Sequence, residues 1–221
     1  METLLLSVKL SALTSVILLP FALLLARWLA FTKSFARLIV EPLILLPLVL
    51  PPTVAGFIFL VAFGDGTTLG TVFNDILHLP LVFTFEGILV VSLLINIPFF
   101  TQPVQRAFES IPESKIETAV CCGLEGFKRF RIIELSYLIP GVLTGFMLTF
   151  AHTMGEFGVV LMVGGNIPGE TRTASVSIYN LLQAFRMDEA MNLSLALLGI
   201  AFLLLFLIYL LALTSGKLQR K

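Results

Sequence analysis

Charge is what this chain has least of. Asp, Glu, Lys and Arg make up 13% of its 221 residues, against about 25% in soluble domains. Fourteen basic residues face 14 acidic ones, so no basic surface of the kind that holds nucleic acid is present. Histidine is scarce, with only His78 and His152, and the cysteines are Cys121 and Cys122. No His/Cys spacing resembles a zinc site, and neither a metal, a cofactor nor a catalytic residue set is expected. What fills the chain instead is apolar: 57% of it is hydrophobic, against about 45–50% in soluble domains. A globule of this length could not bury so much, whereas each bilayer crossing uses roughly 20 mostly apolar residues. Twenty Phe, 16 Gly and 11 Pro fit membrane helices, which carry more Gly and Pro than soluble ones.

Stretches almost free of charge place crossings at about 4–26, 42–64, 79–100, 135–156 and 193–214. Lys9 sits close enough to one end of the first to snorkel. That first run is read as a span rather than a signal peptide, because no basic start precedes it and no small-residue cleavage pattern follows. The expectation is an all-α, polytopic bundle of about five transmembrane helices, forming one domain over 1–221. An odd number of spans separates the termini, and the positive-inside rule chooses the orientation. One set of loops and ends holds Arg27, Lys33, Arg37, Arg106, Lys115, Lys128, Arg129, Arg131, Lys217, Arg220 and Lys221; the other holds Lys9, Arg172 and Arg186. The larger set belongs in the cytoplasm, which puts the N-terminus outside and the C-terminus inside. Between 135 and 168 only Glu156 is charged, too long a stretch for one span and short for two. A span followed by a short re-entrant or broken helical piece at 157–165, rich in glycine, is the reading preferred, since irregular backbone is tolerated where protein or a wet cavity surrounds it.

Motifs for chemistry are few. His152 and Glu156 are four apart and are expected to share a helix face; as a metal site the pair is weak. Cys121 and Cys122, in a reducing cytoplasm, read as small side chains packed at an interface. The run from Gly164 to Thr171 nearly spells a phosphate-binding loop, but Glu170 stands where its lysine belongs and reverses the charge that would meet phosphate. No nucleotide is expected there.

The loop at 101–134 is the most informative. Pro112 and Glu113 suit a helix start, Ile116, Ala119 and Val120 share a face, and Gly123 is a natural stop. A second piece offers Phe127, Phe130 and Ile133 among Lys128, Arg129 and Arg131. The apolar face of such a pair belongs on the lipid interface or in the groove of a cytoplasmic partner.

Here a resemblance enters. Glu117-Thr118-Ala119-Val120-Cys121-Cys122-Gly123, with Ile133 ten residues on and Leu135 after it, resembles the EAA loop of ABC importer permeases. Thr118 stands where a second Ala is usual, and Ser136 where a Pro often follows the Leu. Pro140-Gly141 matches the start of the next span. Gly155-Glu156-Phe157-Gly158, the run from Gly165 to Thr173, and the proline-rich Leu46 to Val54 are similar to molybdate transporter permeases, with His152 in place of the family's usual Arg.

The resemblance implies a type I importer permease for molybdate or tungstate in a prokaryotic inner membrane. It implies a homodimer, a cytoplasmic ATP-binding subunit docked on 113–133, and an external oxyanion-binding protein. Glu117, Thr118, Ala119, Gly123 and Ile133 would couple to the ATPase, which would carry all the nucleotide chemistry. His152, Gly155, Glu156, Phe157, Gly158 and Asn166 would line or gate the pathway. Protonated His152 would pair with Glu156; a helix cap or a bond to Arg172 is the other role open to Glu156. A sulfate permease is the nearest rival. A secondary carrier is more distant, because so few charges lie within the spans.

Overall fold

The computed structural model describes residues 2–64, 66–76 and 78–218, with side chains as far as residue 210. Arg220 and Lys221, counted above with the cytoplasmic charges, lie outside the described residues. Among the described residues there is no strand. Among these residues, four helices are long and apolar enough to cross a membrane, or five if one bent pair counts as a span.

Helix α1 (Glu2–Phe31) runs 30 residues with Pro20 inside, about 45 Å at 1.5 Å per residue. Its buried stripe of Ser7, Leu10, Ser11, Thr14, Ser15, Leu18, Ala22 and Ala26 is mostly small, which lets neighbouring backbones approach. Ser11 and Ser15 hydroxyls each donate to the carbonyl four residues back at 2.8 Å, so these two are satisfied within the helix.

The expected span at 42–64 is broken. Helices α2 (Ala36–Val49) and α3 (Pro52–Phe63) meet at 111°. Leu50 and Pro51 are extended, with ψ 132° and 134°, because a residue before proline is pushed out of the helical region and Pro51-Pro52 does this twice. A short α4 (Thr68–Thr71) and a π-helical turn (Val72–Ile76) follow.

The third span is shifted. Residues 79–84 are not helical; α5 (Phe85–Glu109) starts where Thr84 Oγ1 accepts from Gly87 N–H at 3.1 Å. It runs on through Pro98 and Pro103 to Glu109, so 101–109 belongs to the span rather than to the loop. The loop then holds α6 (Glu113–Cys121), followed by α7 (Gly126–Arg129) and a π-helical turn (Phe130–Glu134) that lead unbroken into α8 (Leu135–Gly155). Helices α1, α5 and α8 form the core. Gly141 and Gly145 make the α5–α8 approach possible: a Cβ on either would stand 2.7 Å from Pro103 O or 2.9 Å from Phe100 O.

The piece expected at 157–165 is the seven-residue α9 (Gly158–Gly164), whose Val159, Val160 and Val163 are buried. It packs on α3. Helix α10 (Ala174–Gln183) precedes α11 (Met187–Leu218), whose apolar stretch rests against α8 without a fully buried residue among those described.

Candidate functional site: a docking helix and a polar cluster between α5 and α8

Helix α6 begins after Pro112, which carries an extended ψ of 135° and presets the entry angle. It ends in a Schellman turn: Leu124 N–H donates to Ala119 O at 2.8 Å and Gly123 N–H to Val120 O at 2.9 Å, with Gly123 at φ 70°. Ala119 is buried, and Ile116 is half-buried against the cluster that holds Phe108 and Ile111. Glu117, Thr118, Gly123 and both cysteines face solvent. One expectation therefore changes: Val120 is exposed rather than sharing the apolar face. Cys121 and Cys122 are exposed within the chain. A nine-residue helix resting on one neighbour buries a single narrow stripe. Ile133 is half-buried in the π-helical turn, and Phe127, stacked on Phe130 at 6.1 Å, is exposed.

The second cluster lies at the other end of α8. His152 Nδ1 and Asn96 Oδ1 are 3.1 Å apart, while Asn96 Nδ2 donates to Ser92 O at 2.8 Å. With the amide so oriented, His152 Nδ1 is the donor. The imidazole stacks on Phe99 at 4.0 Å. Glu156, the C-cap of α8 and 7% exposed, accepts from Ser92 Oγ at 3.1 Å through Oε2. Its Oε1 has no hydrogen-bond partner.

His152 and Glu156 do sit one turn apart, but they reach across to Asn96 and Ser92 of α5 and not to each other. The expected pairing is corrected because α5 places two polar groups at the same one-turn spacing, each nearer to its partner. Arg172 is also turned elsewhere: its Nε donates to Asn166 Oδ1 at 2.7 Å and its Nη2 to Asn166 O at 3.2 Å. Asn166, at φ 64°, also exchanges amide hydrogen bonds with Asn180.

The remaining pathway residues separate. A Cβ on Gly158 would sit 3.3 Å from Pro52 Cβ and Thr53 Cγ2, so α9 approaches α3 closely there, whereas Gly155 meets nothing within 4 Å. Phe157 is half-buried, its ring centroid 4.9 Å from that of Tyr179. In the loop like a phosphate cradle, Thr171 Oγ1 donates to Gly164 O at 2.5 Å and accepts from Ile167 N–H at 2.9 Å, so its hydroxyl is occupied by the turn itself. Among the described residues, no three His, Cys, Asp or Glu side chains gather as a metal site.

Sequence reasoning passed over Ser92 and Asn96, although two polar residues four apart in an apolar span are a visible signal. It also passed over a groove of about 690 Å³ between α5 and α8, lined in part by Phe99, Gln102, Arg106, Tyr137 and Thr144. Arg106 is the one charged residue lining that groove among the described residues. Phe99 joins the groove to His152, since its ring serves both.

Residues 19–217 match the family of binding-protein-dependent transport system inner membrane components. This chain belongs to that family. Two relatives are molybdenum transport system permease proteins named ModB. The one from Azotobacter vinelandii is 41% identical over 206 residues, covering 92% of this chain and 90% of the relative. The one from Escherichia coli (strain K12) is 32% identical over 183 residues, covering 82% of this chain and 80% of the relative. A solved bacterial ABC transporter involved in the import of the acidic polysaccharide alginate shares the fold, with a TM-score of 0.79 at 17% identity over 96% of this chain and 78% of that one. The inner-membrane component described here is thus a multi-pass, all-α chain with an ABC importer permease fold.

Proposed function

We propose that this chain is the membrane subunit of an ATP-driven importer for molybdate or tungstate, working as a homodimer. A separate cytoplasmic ATPase docks on α6, and an external oxyanion-binding protein delivers the anion to the opposite face. The observation that carries this reading is α6 itself: a short, capped helix held by Ala119 and Ile116 that presents Glu117 and Thr118 to solvent. The choice of anion is supported by the two molybdenum permease relatives. Nucleotide chemistry belongs to the partner, and the groove holding Arg106 is one half of a path completed by the second copy. His152, Gly155, Glu156, Phe157, Gly158 and Asn166 line or gate its outer part. The excess of basic residues on one side sets the N-terminus outside and the C-terminus in the cytoplasm, which a reporter fused at each end checks.

The test is reconstitution with the ATPase and the binding protein in vesicles. Molybdate and tungstate are expected to stimulate ATP hydrolysis and to be taken up, and sulfate is not. Stimulation by sulfate alone would move the assignment to the other tetrahedral dianion. Uptake without an ATPase would make the chain a secondary carrier.

A further inference from the structure

At the cytoplasmic end of the core stands a buried carboxylate held by two part-exposed arginines, to which the pathway and the docking contact assign no role. Glu134 has no exposed surface, and both carboxylate oxygens are filled. Arg27 Nε donates to Oε2 at 2.8 Å and Arg27 Nη2 to Oε1 at 3.0 Å, a bidentate grip, while Arg129 Nε donates to Oε1 at 2.9 Å. Both guanidiniums also lie over one ring: each Cζ is 5.7 Å from the centroid of Phe31, which meets Phe108 edge-on at 5.8 Å. The end of α1, the end of α5 and the segment leading from the docking helix into α8 therefore converge on one carboxylate.

The π-helical turn makes this possible. Arg129 and Glu134 are five apart, and in an α-helix such residues point about 140° away from each other. The wider turn at Phe130–Glu134 brings them to the same side, and wide turns of this kind concentrate at functional sites. A buried ion cluster is a poor way to gain stability, because desolvation offsets the attraction; its better-attested use is to select one arrangement over others.

We propose that Glu134 is a positioning residue that joins the docking segment to α1, so that a displacement of α6 by the ATPase moves α1 and α8 together. This rests on the importer reading above. Without the joint, α6 and α7 would shift against α1, and hydrolysis would proceed without opening the path.

The experiment compares wild type, Glu134→Gln and Arg129→Gln in the full complex reconstituted in vesicles. It reads copurification of the ATPase, ATP hydrolysis and molybdate uptake from the same preparation. Wild type without ATP-dependent uptake would fail the importer reading itself, separately from the joint. For Glu134→Gln, the expected result is an assembled complex that hydrolyses ATP while molybdate moved per ATP falls by about tenfold. Arg129→Gln, which leaves the Arg27 grip in place, is expected to show a smaller fall, and it decides the matter if Glu134→Gln does not assemble. A purely structural role would lower uptake and hydrolysis together with the amount of complex and leave their ratio unchanged. An unchanged ratio in every variant that assembles overturns the proposal.

Discussion

Ser92 Oγ donates to Glu156 Oε2 at 3.1 Å, joining α5 to the end of α8 across 64 residues of sequence. This is the one hydrogen bond that the buried Glu156 carboxyl makes among the described residues. Ser92→Ala leaves both oxygens without a partner, at a cost of about 1–3 kcal/mol. The expected outcome is a lower melting temperature of the purified protein and reduced uptake. Ser92→Thr, which keeps a hydroxyl, is expected to recover much of both. Unchanged melting and uptake in Ser92→Ala would show that the contact is idle.

Two glycines on α8 differ sharply in what surrounds them. A Cβ at Gly145 would stand 2.9 Å from both Phe100 Cδ1 and Phe100 O, while one at Gly155 would meet nothing within 4 Å. Overpacking of a close helix contact costs about 1–3 kcal/mol. Gly145→Val is therefore expected to lower thermal stability and membrane yield, and Gly155→Ala to leave both unchanged. Equal yields and melting curves for the two variants would contradict the α5–α8 packing described.

The Schellman turn gives the docking helix its own test. Gly123 holds φ 70° and donates to Val120 O at 2.9 Å. Proline can do neither, since its ring sets φ near −65° and removes the N–H. Alanine keeps the N–H but carries a strain of about 1–2 kcal/mol. The expected order of uptake is wild type, then Gly123→Ala, then Gly123→Pro, with membrane insertion retained in all three. Glu117→Lys, which changes only an exposed charge, is expected to lose copurification with the ATPase. Full transport by both Gly123→Pro and Glu117→Lys would falsify the assignment of α6.

Among the described residues, Arg106 is the sole charge lining the groove between α5 and α8. If that groove is half of an anion path, Arg106→Gln removes its one cation, and uptake of a dianion is expected to fall by about tenfold, equivalent to roughly 1.4 kcal/mol in the barrier. Arg106→Lys is expected to retain more. Vesicle uptake at fixed amounts of assembled complex measures this, and equal rates for wild type and Arg106→Gln would place the path elsewhere.

Composition and local pattern by themselves determined that the chain is a bundle of apolar helices, that a capped helix ends at Gly123, and that a short piece set off from the span follows Glu156. Each rests on short-range physics: the length a bilayer demands, the left-handed position only glycine takes easily, and the lack of charge over long runs. Tertiary structure decided the partners. Nothing in the spacing of His152 and Glu156 reveals that Asn96 and Ser92 stand at the same one-turn interval on α5 and take both side chains. Nor does local pattern show that Leu50 and Pro51 turn the expected second span through 111°, because a proline within an apolar run is as compatible with a continued helix, as at Pro98 and Pro103 of α5. Glu134 is the plainest case. In sequence it is one acid beside a basic stretch, and its burial under Arg27 follows from the packing of α1, 107 residues away, because the strength of a charge contact depends on distance and surroundings that only the folded chain sets.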